Sequence, residues 1–412
     1  MIEVSARLPR GPVFLAGETL RCEIVFTNIS RDNDLEVDTV AWSSVQLICQ
    51  CSVSESRVQL PRTQIMSAEE ASSTGCDTSF VPNKGERGLT VLCTKPKILF
   101  CDLKLQPGES RTFEYEDAIP TDAPPSFRGQ AVKYSYKFII GTQRPGSATK
   151  LLRIPFRVMV MPGLNDLSVY NETDEIRPSN PFLHNQGKEN SVLDIALQVM
   201  ATVTARKAPH SYNITNVKGK VAKFMLFKQA FKLGEDIVGI FDFSEGTVPC
   251  VQFSVTLQSE EQISEECRRK PGQGSAITSY VKQQEMCLHT VRTYINLPIP
   301  LTATPAFMTD IVCQRWRLHF EFVTSLSAIS SAQDLAANAE QGGQWRGPAT
   351  LDVETMVWDL PIKVFPTNPL HASSRKNPSR LCRVRPAAAI LGSEPKISAV
   401  SEDCLQEDWH SI

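Results

Sequence analysis

Four cysteines form the most chemically capable constellation in this 412-residue chain: Cys49 and Cys51, two residues apart, then Cys93 and Cys101. Thiolates are soft ligands, and four converging on one point would hold a tetrahedral zinc. The spacing argues against it. VQLICQCSV reads as a strand, where residues two apart share a face but stand about 7 Å from each other, farther than two sulfurs on one zinc require. The competing reading makes Cys49 and Cys51, like Cys22 and Cys313 in other strand-like runs, reduced thiols that behave as small apolar residues in or near a core.

Other routes to chemistry are thinner still. The six histidines are dispersed, and only His289 in CLHT and His319 in WRLHFEF fall near strands. No GxxxxGK[ST] occurs to cradle phosphates, and GQGS at Gly272 lacks the preceding strand and the third glycine of a dinucleotide loop. HExxH, paired CxxC and GxSxG are missing too. The expectation is a protein without catalytic residues, cofactor or metal. With 43 basic residues against 45 acidic ones there is no global field to gather nucleic acid or anionic lipid, so recognition must be local and nucleic acid is not an expected partner. MIEVSARLPRGPVF places Glu3 and Arg7 where a secretory signal would be apolar, and no run approaches the roughly 20 residues that span a bilayer, which points to the cytosol. The N-x-S/T triplets at Asn28, Asn171 and Asn213 then read as chance.

The elements that would carry any site are strands. In AVKYSYKFII, Val132, Tyr134, Tyr136, Phe138 and Ile140 alternate onto one face. In WRLHFEF, Trp316, Leu318, Phe320 and Phe322 do the same, while Arg317, His319 and Glu321 face the other way. Long helical patterns are nearly absent, so the class is all-β. The segments also repeat in order. FLAGETLRCEIVF from Phe14 answers FKLGEDIVGIFDF from Phe231, and VQLICQCSVSE from Val45 answers VQFSVTLQSEE from Val251. AIPTDAPPSFRGQAVKYSYKF answers LPIPLTATPAFMTDIVCQRWRLHF, and RIPFRVMV answers DLPIKVFP with Pro155 and Pro361 in register. Four ordered matches indicate a duplicated β-sandwich. Proline lacks the ladder N–H, so Pro155 and Pro361 belong on an edge or at a strand start.

The expected domains are 1–162 and 216–368, with a linker over 163–215 and a disordered tail over 369–412. Loop insertions, exposed and mobile, are expected over about Arg57–Gly88 and Ser325–Gly347. Within the linker, Val192, Ile195, Ala196, Val199 and Val203 recur at helical spacing, predicting a helix over about 190–207. It either packs on its own domain or serves as a docking or membrane-surface helix.

Two sandwiches, each opening on a Gly-Glu turn and carrying a Pro-rich approach to a central strand, resemble the arrestin clan. Within it the chain is similar to the Rgp family, the smaller subunit of the Ric–Rgp exchange complex, through KPKILFCDLKLQPGES, SFRGQAVKYSYKFIIGTQR, LGEDIVG, VQFSVTLQSEE, CLHTVRTYINLPIPL, WRLHFEFVTS and WDLPIKVFPTNP. The resemblance implies two tandem arrestin-like (immunoglobulin-like) β-sandwiches. It also implies a non-catalytic subunit of a heterodimeric guanine-nucleotide exchange factor, paired with a Ric-type large subunit. That complex would act on a Golgi Rab GTPase in its GDP-bound or nucleotide-free form, in retrograde and intra-Golgi traffic, as a cytoplasmic protein peripheral at Golgi membranes. The alternative from the same clan is a cargo-sorting adaptor, although the only Pro-Pro, Pro124-Pro125, leads into Ser126-Phe127 and not into a ligase-recruiting Pro-Pro-x-Tyr. No residue inherits a role from the family strings. Trp316 and Trp358 are expected in the core, and the outward Arg317, His319, Arg128 and Lys133 are the candidate contacts; the partner-binding residues are otherwise unknown.

Overall fold

The computed structural model describes residues 2–30, 37–60, 88–162, 192–206, 208–272, 274–326, 350–373 and 382–384. The alternating runs become strands, as their periodicity predicts: β1 (Ile2–Arg7), β2 (Val13–Leu15), β3 (Thr19–Asn28), β4 (Asp38–Val53), β5 (Leu89–Cys93), β6 (Lys97–Leu105), β7 (Ser110–Ala118), β8 (Phe127–Arg128), β9 (Val132–Gln143) and β10 (Lys150–Met159). One sheet runs β1-β3-β7; the other runs β2-β10-β9-β4, with β5 and β6 both on β4. Cys22, Ile24 and Phe26 from the first meet Leu47, Cys49, Phe138 and Phe156 from the second in one apolar core. Burying such a core is the main favourable term in folding.

The second half repeats the plan. β11 (His210–Asn216), β12 (Gly219–Leu226), β14 (Asp236–Asp242) and β17 (Arg292–Pro298) make one sheet. β13 (Ala230–Lys232), β20 (Val353–Phe365), β19 (Val312–Ser325), β15 (Cys250–Ile263) and β16 (Ser275–Met286) make the other, with β18 (Phe307–Met308) on β19. The registers coincide: Phe14 pairs in parallel with Val158, and Phe231 with Val364. Both prolines lie on edges, since β2 reaches only Arg157–Met159 and β13 only Lys363–Phe365. Trp316 is buried; Trp358 is partly buried, stacked on Phe320 at 4.7 Å.

Three boundaries differ from the sequence reading. The expected linker runs through residue 215, but β11 pairs with β12 from His210 onward and belongs to the second sheet; its Asn-rich alternation hides a strand. The expected tail begins at 369, yet Pro369–Ser373 form a short helix against β2, and Cys382–Val384 form β21, antiparallel to β1. β21 takes the place beside β1 that β11 takes beside β12. The expected insertions fall mostly outside the described residues, but the head of the first is anchored, not mobile. Val58 is buried and bridged to Arg268, and the Gln59 amide donates to Cys267 O at 2.9 Å.

That anchor belongs to a seam between the halves. Phe127 and Phe307, equivalent residues of the duplication, meet with ring centroids 4.9 Å apart. The Glu261 carboxylate accepts N–H bonds from Gln130, Ala131 and Val132 at 2.6, 3.0 and 3.0 Å. Gly129 lies so close that a Cβ there would stand 2.4 Å from Glu261 Oε1, which no side chain tolerates without displacing the carboxylate. Arg157 donates back across the seam to Leu301 O at 2.8 Å and Ala303 O at 2.6 Å, and burial lowers its pKa to about 10.

Candidate interaction surfaces

Arg317 and His319 stand at outward positions of β19, flanked by β15 on one side and β20 on the other. Their neighbours are charged, so they are tied into the sheet. His319 Nδ1 lies 2.7 Å from Asp359 Oδ1, and its Nε2 lies 3.7 Å from Glu321. Arg317 donates from Nε to Gln258 at 3.1 Å and faces Asp359 at 3.2 Å and Glu260 at 3.8 Å. Glu321 accepts from the Ser254 hydroxyl at 2.8 Å and from Lys282 at 3.2 Å. The Ser254 bond, and then Lys282, hold its carboxyl below the ordinary glutamate range. Beside this network lies a shallow depression of about 290 Å³, lined by residues that include Thr256, Lys282, His319 and Glu321. Each exposed pair contributes little alone. Together they compensate one another's charge, leaving a polar face without strong net sign.

Arg128 and Lys133 pair across β8 and β9 and are exposed on the outer face of the first half. Lys137 and Arg153 share that face, and none of the outward positions of β8, β9 and β10 carries a carboxylate. The outward charges of β8, β9 and β10 are thus of one sign, whereas those of β15, β19 and β20 are of both. Sequence spacing finds these outward residues but not their company, because the partners come from neighbouring strands far along the chain.

The cysteines do not converge. Cys49 and Cys51 point into the first core beside Tyr136 and Tyr134, and burial pushes their thiols up to about 12 and about 11. Cys93 opposes Ile48 and packs with Ile139 on the other side of the sheet, while Cys101 is exposed opposite Trp42. Among the described residues no group of three or more potential ligands could hold a metal ion. The predicted helix exists as α1 (Val192–Val203). Ala196 and Met200 are buried in a cluster that joins Leu15 and Met159 of the first half to the core of the second, so the helix is anchored at the junction. No helix among the described residues is long and apolar enough to cross a membrane.

The residues that sequence reasoning missed are Glu261 and Arg157. The signal for Glu261 was present: Phe253, Val255 and Leu257 set a buried face whose alternation runs on through Ser259 and Glu261 to Ile263. An acid on an apolar face needs a partner.

What this arrangement offers is surface: two broad sheet faces, and strand edges that no described strand covers, held in fixed relation by the seam. The sequence profile of the Rgp1 family matches residues 66–167 and 164–325, and the chain belongs to that family. It is 46% identical over 384 residues to RAB6A-GEF complex partner protein 2 of Homo sapiens, covering 90% of this chain and 97% of the relative. It is likewise 46% identical over 372 residues to the Bos taurus protein of the same name, covering 88% of this chain and 93% of that one.

Proposed function

We propose that the chain is a subunit of a guanine-nucleotide exchange complex, joined to a Ric-type large subunit and acting on a Golgi Rab GTPase without catalytic residues of its own. The observation that carries the reading is near end-to-end similarity to relatives named RAB6A-GEF complex partner protein 2. Exchange needs neither acid nor base. A factor that binds the GTPase better without nucleotide than with it lowers the barrier to release through differential affinity. Wide faces suit that task, since regulatory assemblies bury on the order of 2,000 Å². In this reading the fold is arrestin-like, and the complex works from the cytoplasm as a peripheral component of Golgi membranes.

The test is release of a fluorescent guanine nucleotide from a panel of Rab proteins with this chain alone, the large subunit alone, and both. Release by the pair only, on a Golgi Rab, is the expected result. Full activity without this chain would overturn its role in exchange.

A further inference from the structure

Among the described residues, one side of the second half stands open. β20 has β19 along one edge, but β13 covers its other edge only at Lys363–Phe365. The Lys363 amide donates to Gln229 O at 2.9 Å across that second edge, so Lys363 turns its backbone groups away from β19. Lateral direction alternates along a strand, and Pro361, Asp359, Val357, Thr355 and Val353 turn theirs the same way. Among the described residues no strand lies beside Val353–Asp359 on this edge. By contrast, the edge of β17 is capped: the Gln283 amide donates to Tyr294 O at 3.1 Å and accepts from the Asn296 amide at 3.0 Å.

Facing the open edge is β11, the last strand of the opposite sheet. Between them runs a groove of about 520 Å³, lined by Ser211–Thr215 and Met356–Trp358. Tyr212 and Trp358, with centroids 5.4 Å apart, form an aromatic floor. Val357 on the rim is 57% exposed. Asn216 closes one end by donating to Glu354 at 3.0 Å, and the bond between Gln229 and the Tyr212 hydroxyl closes the other. From Tyr212 to Asn216 is about 13 Å of strand, room for roughly four extended residues.

An apolar cleft alone would not say what fills it, but this backbone does. Alternating free N–H and C=O groups are matched by extended polypeptide. We propose that the groove takes about four residues of a partner chain as a strand added to β20, with an apolar side chain seated over Tyr212, Met356 and Trp358. The chain already does this to itself, with β13 on the same edge and β21 on β1. The inference rests on the exchange-subunit reading and assigns the strand to the large subunit.

The experiment is amide hydrogen exchange on the full chain, alone and with the Ric-type large subunit. The Thr355, Val357 and Asp359 amides exchange fast in the free chain and at least about tenfold more slowly in the complex. Val357→Pro removes the central outward N–H while leaving the β19 ladder intact, and weakens the complex by about tenfold or more at unchanged melting temperature. Tyr212→Ala, which removes the floor and keeps the ladder, also weakens it. A complex whose three amides still exchange fast, or that V357P joins at full affinity, overturns the proposal. So do amides already slow in the free chain, which would place its own segment or a second copy in the groove. Failure to form any complex overturns the exchange-subunit reading, and with it the source of the strand.

Discussion

Glu261 satisfies three backbone donors of the opposite half with one carboxylate. Glu261→Ala leaves all three without that acceptor, the Ala131 and Val132 amides in buried positions, and a loss of about 3 kcal/mol is the expected outcome in urea unfolding. Gly129→Ala acts on the same contact by pushing the carboxylate aside, and is expected to cost about 2 kcal/mol. The thiols make a second prediction. With Cys49 and Cys51 raised to about 12 and about 11 by burial, they resist an aromatic disulfide reagent at pH 8 until the chain unfolds, whereas Cys101 reacts at once. Glu321 makes a third. Its folded carboxyl is lowered, so the preference of the fold for the carboxylate is fully present above the ordinary glutamate range and fades as pH falls through the lowered value. Ser254→Ala should move the Glu321 titration upward by NMR while the fold is kept. Core residues were legible in the sequence because alternation marks them. Bonds such as Ser254 to Glu321 were not, because they join residues 67 apart whose proximity only the strand order creates.

At the scale of elements, α1 shows how an amphipathic pattern is resolved by its surroundings. Its apolar residues announced a helix, but whether that face was meant for this chain or for another depended on what stood beneath it. Ala196 and Met200 lie fully buried over Leu15, Met159 and the second core. Met200→Ala should therefore cost about 2–5 kcal/mol in urea unfolding, as core methionines do, whereas a free docking helix would lose almost nothing. The strands with strong alternation were readable, as were the edge positions of Pro155 and Pro361. β11 was not, since Tyr212 and Ile214 alternate with residues that read equally well as loop. β21 is three residues long and gains its partner from the far end of the chain, which local pattern has no means to show.

At the scale of the whole molecule, the duplication was legible because matched strings recur in order, while the seam was not. Interdomain bonds pair Glu261 with residues about 130 positions earlier and Arg157 with residues about 145 later, distances at which sequence carries no register. The seam makes the two halves one cooperative unit, so a single transition is expected in scanning calorimetry. Combining Glu261→Ala with Phe307→Ala should split it in two.

Phe127 touching Phe307 has a further meaning. Each ring covers its counterpart, so neither half can turn away from the other without baring an aromatic at the matching place on its own surface. Phe127→Asp, which leaves Phe307 uncovered, should lower the melting temperature and promote self-association visible in sedimentation.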